Sequence, residues 1–191
     1  AVQIVLNYEE GAENCVLNGD NNSEVFLSEI IGAQPVKGRH INMESLYEYG
    51  SRAGFWRLHK LFQEKRTPIT VFGVGMALEK NPEVCKAIIE ADYEVASHGW
   101  RWIDYQNIKK TEEKKHMKLA IQAHTKIFGK RPNGWYTGRC SPNTRDLVME
   151  DGGFLYDSDS YSDDLPYWET RNKKKQLIIP YTLDNNDMRF A

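Results

Sequence analysis

The sequence is poor in cysteine, and no part of it is a long apolar run. Its three cysteines, Cys15, Cys85 and Cys140, are too few and too widely spaced for a disulfide framework or a Cys-x-x-Cys metal site, which favours a reducing compartment. A membrane-spanning helix needs about 20 mostly apolar residues in a row, and no such stretch occurs. Residues 1–6 also lack the basic flank of a signal peptide. We therefore expect a cytoplasmic protein with no membrane partner.

An excess of charge of one sign and the common phosphate-binding motifs are missing as well. The chain has 25 basic and 27 acidic residues, which give a formal net charge of −2, so no overall field attracts nucleic acid or an anionic membrane. Neither a Gly-x-Gly-x-x-Gly turn nor a Gly-x-x-x-x-Gly-Lys-Ser/Thr loop follows any predicted strand. We expect no nucleic-acid partner.

The composition that is present fits one globular domain, with 191 residues, 40% hydrophobic and 12% aromatic. Residue patterns predict strands at 2–8, 69–74, 93–97, 135–136, 154–156 and 177–179. They predict helices at 23–31, 43–49, 51–65, 81–91, 111–128 and 144–150. Strands that alternate with helices favour an α/β fold with a parallel sheet or barrel, and a doubly wound sheet is the alternative.

Polar and aromatic side chains follow nearly every predicted strand. The densest cluster is Ser-His-Gly-Trp-Arg-Trp-Ile-Asp-Tyr at residues 97–105. The candidate site residues at these strand ends are Glu9, Glu10, His98, Trp102, Trp135, Tyr136, Arg139, Asp157, Asp159, Trp168, Asp184 and Asp187. Because loops at the carboxyl ends of parallel strands meet at one face, this pattern favours a barrel with its site on that face.

Each candidate has a structural interpretation beside the functional one. Glu9 and Glu10 are either a solvated pair or a general base whose pKa is raised by its charged neighbour. His98 is either a core histidine or, beside the bare backbone of Gly99, a ligand contact. Arg139 is either a loop-fixing hydrogen-bond donor or a clamp for a carboxylate or another anion. The tryptophans are either core residues or the wall of a pocket for a flat ligand.

In their order along the chain, these motifs resemble the polysaccharide deacetylase (NodB-like) superfamily. Its Thr-Phe-Asp-Asp-Gly motif corresponds to Asn-Tyr-Glu-Glu-Gly at residues 7–11, and its His-Ser/Thr-x-x-His motif to His-Gly-Trp-Arg-Trp at 98–102. Its motif centred on Arg-x-Pro corresponds to the loop around Arg139. The longer stretches Ser-His-Gly-Trp-Arg-Trp-Ile-Asp-Tyr and Gly-Trp-Tyr-Thr-Gly-Arg are similar to the metal-independent allantoinase branch. The resemblance covers nearly the whole chain and implies a distorted (β/α) barrel.

The resemblance implies ring opening of allantoin to allantoate, with no metal and no other cofactor. Members of the superfamily hold a divalent metal with the second acidic residue of the first motif and two histidines. Here Trp102 replaces the second histidine, and an indole N–H is a donor that cannot ligate a metal. Glu10 and His98 alone are too few, because catalytic zinc normally has three protein ligands. A carboxylate base and donors facing the oxyanion suit an activated cyclic amide.

The resemblance also implies roles for the candidate residues. Glu9 activates water, with Glu10 as a second catalytic carboxyl group. Arg139 fixes Glu9 or binds a substrate carbonyl, and His98 and Trp102 hold the ring or its oxyanion. The remaining substrate-binding residues are the ring-walling Trp135, Tyr136 and Trp168, together with Asp157 and Asp159.

Two other functions stay open, a metal-dependent deacetylase of N-acetyl sugars and a non-catalytic carbohydrate- or ureide-binding domain. No histidine follows His124, so the family's late Leu-x-His motif, which supplies its general acid, is missing. We expect residues 1–191 to be a single catalytic domain that lacks N- and C-terminal parts of the barrel. As partners, we expect a small-molecule substrate (allantoin) and further copies of the chain in a homo-oligomer.

Overall fold

A computed structural model describes residues 2–190, which form one sheet with helices packed against it. The strands of this range are β1 (Ile4–Tyr8), β2 (Ile69–Gly73), β3 (Glu94–Ser97), β4 (Gly134–Trp135), β5 (Tyr156–Asp157), β6 (Tyr167–Arg171) and β7 (Lys174–Ile178). The α-helices are α1 (Ile41–Tyr49), α2 (Phe55–Lys65), α3 (Gly75–Lys80), α4 (Pro82–Glu90), α5 (Lys110–Phe128) and α6 (Thr144–Asp151). Within this range, no helix combines the length and apolar character needed to cross a bilayer.

The strands are arranged in the order β1-β2-β3-β4-β5-β7-β6. Neighbours are parallel throughout, except for the antiparallel pair β6 and β7. The parallel strands thus follow chain order without the reversal that defines a doubly wound sheet. The predicted α/β class with a mainly parallel sheet is confirmed, and winding in one direction agrees with the predicted barrel type.

The core lies between the sheet and the helices. Strand β2 is buried at all five residues, because side chains on both of its faces are covered, as expected for an interior parallel strand. Helix α4 begins as predicted at Asn81 and Pro82, where the Asn81 Oδ1 accepts a hydrogen bond from the Val84 N–H at 3.2 Å. Val84 and Ile88 of this helix are fully buried.

The predicted helix at 23–31 is wrong. Ser23 does not cap a helix; it pairs with Val36 in an isolated antiparallel bridge, and its hydroxyl donates to the Gly38 carbonyl at 2.6 Å. The Glu24 carboxylate accepts hydrogen bonds from the Val25 and Phe26 N–H groups. These side-chain bonds to the backbone replace the helical pattern and leave a loop.

Gly50 does not end a helix, contrary to expectation. It has helical dihedral angles (φ −57°, ψ −47°), and a π-helical segment, Gly50–Gly54, joins α1 to α2. A Cβ at this position would overlap the Glu10 carboxylate. The glycine is therefore required by tertiary packing against β1's end, which a sequence pattern does not show.

Two further elements, helix α3 and strand β6, have no predicted counterpart. Helix α3 directly follows β2, and β6 forms a hairpin with β7, which begins three residues before the predicted strand at 177–179. Asn172 and Lys173 connect these strands with φ values of 49° and 63°, as a two-residue type I′ turn requires. Lys173 is a turn residue, whereas Lys174 belongs to β7 and its Nζ donates to the Met149 and Glu150 carbonyls at the end of α6.

Candidate active site

Glu9 and His98 meet at the carboxyl end of the sheet. Glu9 follows β1 and His98 follows β3, and both strands flank β2 in parallel register. The His98 Nε2 lies 3.0 Å from the Glu9 Oε1. The histidine side chain is 2% exposed, whereas that of Glu9 is 22% exposed. The pair therefore presents a carboxylate to a cavity while its imidazole partner is fixed behind it.

Glu10 lies beside this pair, with its carboxylate against the backbone of Gly50. Burial raises the pKa of Glu10 to about 7, since a charged carboxylate is poorly solvated there. Backbone N–H groups, including that of Glu9 at 3.2 Å from the Glu10 Oε2, oppose the rise, and the charge of Glu9 adds to it. Glu10 consequently carries a proton over much of the range below neutral pH.

The raised pKa predicts that Glu10→Gln stabilises the fold at alkaline pH. The folded pKa lies above the unfolded value, so the stability linked to this group is present at low pH and is lost as pH rises through 7. At pH 8 the variant should gain up to about 3 kcal/mol in free energy of unfolding, and at pH 4 almost nothing. Urea titrations at both pH values measure this gain. The exposed Glu64→Gln serves as control, and an equal gain at both pH values would contradict the expectation.

Arg139 stands in the loop between β4 and α6 and stacks on aromatic rings. Its guanidinium carbon lies 3.9 Å from the centre of the Trp102 ring and 5.3 Å from that of Phe26. Its Nη1 lies 3.5 Å from the Glu24 Oε2. The expectation that Arg139 fixes Glu9 is thus wrong, because among the described residues Arg139 forms its ion pair with Glu24.

A cavity of about 670 Å³ collects these groups. Its lining includes seven of the predicted candidate residues, namely Glu9, Glu10, His98, Trp102, Tyr136, Arg139 and Asp187, whereas Asp184 lies outside it. The lining residues that the sequence did not reveal include Asn7, Phe26, Leu27, Tyr47, Tyr49 and Tyr161. Asn7 alone had a usable signal, because alternation along β1 puts it on the same face as Glu9.

Four predicted substrate-binding residues lie outside this lining. Trp135 is buried against Phe154 on the helix side of β4, and its Nε1 donates to the Thr137 Oγ1 at 2.8 Å. Trp168 is exposed on β6. These two positions correct the expectation that Trp135 and Trp168 wall the substrate ring. Trp135 and Tyr136 are successive residues that face opposite sides of the sheet, so only Tyr136 lines the cavity. Trp168 lies on β6, the edge strand of the sheet.

Asp157 and Asp159 contact protein groups and do not line the cavity. Asp157 is fully buried, with its Oδ2 3.0 Å from the Arg145 Nη1. The Asp159 carboxylate accepts hydrogen bonds from the N–H groups of Thr137 and Gly138 at 2.8 Å. Asp159 therefore holds the loop that leads to Arg139, and Asp157 supports Asp159 by accepting its N–H at 2.8 Å. The expected direct contact of both aspartates with substrate is corrected accordingly.

The donor set does not fit a catalytic zinc ion. Across residues 2–190, no group of three or more His, Cys, Asp or Glu side chains is arranged to hold a metal. Trp102 packs edge-on against Phe26 and Tyr47, and its indole offers a donor and no lone pair for a metal. Catalytic zinc normally takes three protein ligands.

Comparison with protein families gives one match, described as polysaccharide deacetylase, over residues 40–151. A curated relative from Schizosaccharomyces pombe, "Putative polysaccharide deacetylase", is 43% identical over 210 aligned positions, which cover 100% of this chain and 65% of the relative.

Two solved structures are similar over almost the whole chain. The crystal structure of a "probable Polysaccharide deacetylase" from Pseudomonas aeruginosa PAO1 is 61% identical, with a TM-score of 0.94, and the match covers 98% of this chain and 64% of that one. The crystal structure of Puue allantoinase is 58% identical, with a TM-score of 0.95, and the match covers 98% and 63%. The chain thus spans a little under two thirds of the length of each of these relatives.

Proposed function

The chain belongs to the polysaccharide deacetylase family, and we propose that it hydrolyses a cyclic amide, opening allantoin to allantoate without a metal ion. The observation that carries the proposal is the Glu9–His98 pair beside Trp102. A base is present in the cavity, but an indole stands where a third metal ligand would be needed. The similarity to Puue allantoinase, at 58% identity, supports the same substrate.

The first chemical step follows from the Glu9–His98 pair. Glu9 removes a proton from water, and the water oxygen attacks the ring carbonyl carbon. The His98 Nε2, at 3.0 Å, holds the Glu9 carboxylate in one orientation. Arg139, stacked on Trp102 within the cavity lining, supplies N–H donors for the oxygen that becomes negative.

The second step breaks the ring carbon–nitrogen bond. The tetrahedral intermediate collapses, and the leaving nitrogen takes a proton as the bond breaks. Glu10 is the cavity carboxyl group that holds a proton near neutral pH, and we assign this protonation to it. Glu9 then releases its proton to solvent, Glu10 recovers one, and the product acid ionises, so that the net release is one proton.

The proposal predicts allantoin hydrolysis that does not depend on divalent metal. After exhaustive treatment with a chelator, the rate should stay within about twofold of the untreated rate, and added zinc should not raise it, because no step needs a Lewis acid. The measurement is allantoate formation by the full chain, with an N-acetylglucosamine oligomer as a second substrate.

Each alternative function gives a different result in this assay. A rate that falls on chelation and returns with zinc, together with release of acetate from the oligomer, would indicate a metal-dependent deacetylase. Binding of either compound without turnover would indicate a non-catalytic binding domain. The homo-oligomeric assembly and the cytoplasmic location stay predictions from the sequence.

A further inference from the structure

A buried glutamate on helix α5 fixes the loop that carries Arg139, at residues that follow the arginine in the chain. Glu113 lies in the first turn of α5 and is only 4% exposed. Its Oε2 accepts a hydrogen bond from the Ser141 hydroxyl at 2.5 Å, and its Oε1 accepts one from the Thr144 hydroxyl. The two donors are also buried. One carboxylate therefore binds both the end of the loop and the first residue of α6.

The same two hydroxyl groups shape the loop itself. The Ser141 N–H donates to the Thr144 Oγ1 at 2.9 Å, and the Asn143 N–H donates to the Ser141 Oγ at 2.9 Å. Each hydroxyl thus accepts from the loop backbone while it donates to Glu113. Loss of the carboxylate would leave both hydroxyl protons without a partner and free these groups to rotate.

Burying the Glu113 carboxylate costs solvation free energy that its two hydroxyl contacts offset only in part. Among the described residues, no ion pair within 4 Å involves Glu113, and its side-chain hydrogen bonds come from the neutral hydroxyls of Ser141 and Thr144. A buried charge held this way is expensive, although the amino end of α5 offsets part of the cost through the helix dipole. An apolar residue in this place could not accept the Ser141 and Thr144 hydroxyl protons, so the carboxylate is tied to the geometry of the loop.

We propose that Glu113 is a positioning residue that sets the place of the Arg139 guanidinium over Trp102, and hence the binding of the substrate carbonyl. The inference rests on the proposed function only for the identity of that substrate. Arg139 lies two residues before Ser141, and its own carbonyl accepts the Tyr105 N–H at 3.0 Å. Asp159 binds the loop before Arg139, at Thr137 and Gly138, and Glu113 binds it after Arg139, at Ser141, so the loop is held at both ends.

The first test is kinetic and uses Glu113→Gln with Glu112→Gln as matched control. Glu112 is the preceding residue in the same helical turn, but it is exposed and contacts Lys115 and His116, so its replacement removes a carboxylate and leaves the bonds to Ser141 and Thr144 in place. Glu113→Gln should lower kcat/KM for allantoin about tenfold to a hundredfold, and Glu112→Gln less than twofold. In an Arg139→Ala background, Glu113→Gln should have almost no further effect.

The second test is spectroscopic and needs no activity. Because Arg139 lies 3.9 Å over the Trp102 ring, its side-chain NMR signals should be shifted upfield by the ring current, and Arg139→Lys identifies them. In Glu113→Gln these signals should move toward those of an exposed arginine, and in Glu112→Gln they should not. If Glu113→Gln does not fold, Ser141→Ala removes one of the two bonds and should give the same result in smaller measure.

The outcomes separate this inference from the proposed function. Two results would overturn the positioning role. One is that the Arg139 signals in Glu113→Gln and Ser141→Ala keep the upfield positions they have in the unmodified protein. The other is that Glu113→Gln lowers kcat/KM by the same factor with or without Arg139→Ala. Absence of allantoin hydrolysis in the unmodified chain would overturn the proposed function alone, since the NMR signals still report the position of Arg139.

Discussion

Glu9→Gln is expected to lower kcat for ring opening by about a hundredfold to ten-thousandfold while leaving the fold intact. The amide of the new side chain keeps the size and polarity of the carboxylate beside the His98 Nε2, which lies 3.0 Å from the Glu9 Oε1. The amide cannot take a proton from water, so the loss falls on the chemical step and KM should change little. Steady-state kinetics with allantoin, together with circular dichroism, measure the two parts of this expectation.

Glu13→Gln is the matched control for this change. Glu13 is four residues further along the same segment and is buried, but its Oε2 accepts the Gly11 N–H at 2.7 Å and it does not line the cavity. Its replacement should change kcat less than about threefold, because a glutamine oxygen can keep that bond. Full activity of Glu9→Gln would remove Glu9 from the role of base.

The fold could be predicted from sequence wherever local signals and burial agree. Strands β1 and β2 are mostly apolar runs, β3 has Val95 and Ala96 at its centre, and α4 and α5 have clear periodicity. The order of these elements was enough to predict a parallel sheet. The segment 23–31 failed because side-chain bonds to the backbone from Glu24 outweighed a weak helical pattern. The hairpin of β6 and β7 failed because an Asn-Lys turn lacks the glycine that usually marks it.

The site could be predicted as far as strand ends and motifs define it. Glu9, Glu10, His98 and Arg139 follow three parallel strands, whose carboxyl ends must lie together. The side of the sheet that each aromatic residue faces depends on strand boundaries that sequence gives only to within a few residues. Trp135 and Tyr136 are neighbours, and only the second lines the cavity. The cavity wall from Phe26 comes from an irregular loop that has no periodicity to interpret.

Asp157 and Asp159 affect the site indirectly, through their contacts with Arg145 and with the loop that carries Arg139. Arg145 lies with its Nη1 3.0 Å from the Asp157 Oδ2, at ion-pair distance but without the alignment of a hydrogen bond. Its Nη2 donates to the Asp159 carbonyl at 2.8 Å. Asp159 in turn receives the N–H groups that begin the Arg139 loop. Arg145 is therefore the link between the end of β5 and the position of the site arginine.

Arg145→Leu is accordingly expected to destabilise the fold by about 3–5 kcal/mol, because it leaves Asp157 buried without its opposite charge. Burial and the charge of Asp159 already raise the pKa of Asp157, and Arg145 opposes the rise. Without Arg145 the folded pKa rises further above the unfolded value, so stability is lost as pH increases. The destabilisation in urea titrations should therefore be larger at pH 8 than at pH 5.

A double variant and a surface control test this explanation. Asp157→Asn in the Arg145→Leu background should restore part of the lost stability and abolish its pH dependence, since the uncompensated charge is gone. Arg52→Leu removes an exposed ion pair with Glu48 and should cost less than about 1 kcal/mol at either pH. A loss in Arg145→Leu that is the same at both pH values and is not relieved by Asp157→Asn would mean that Arg145 stabilises by packing alone.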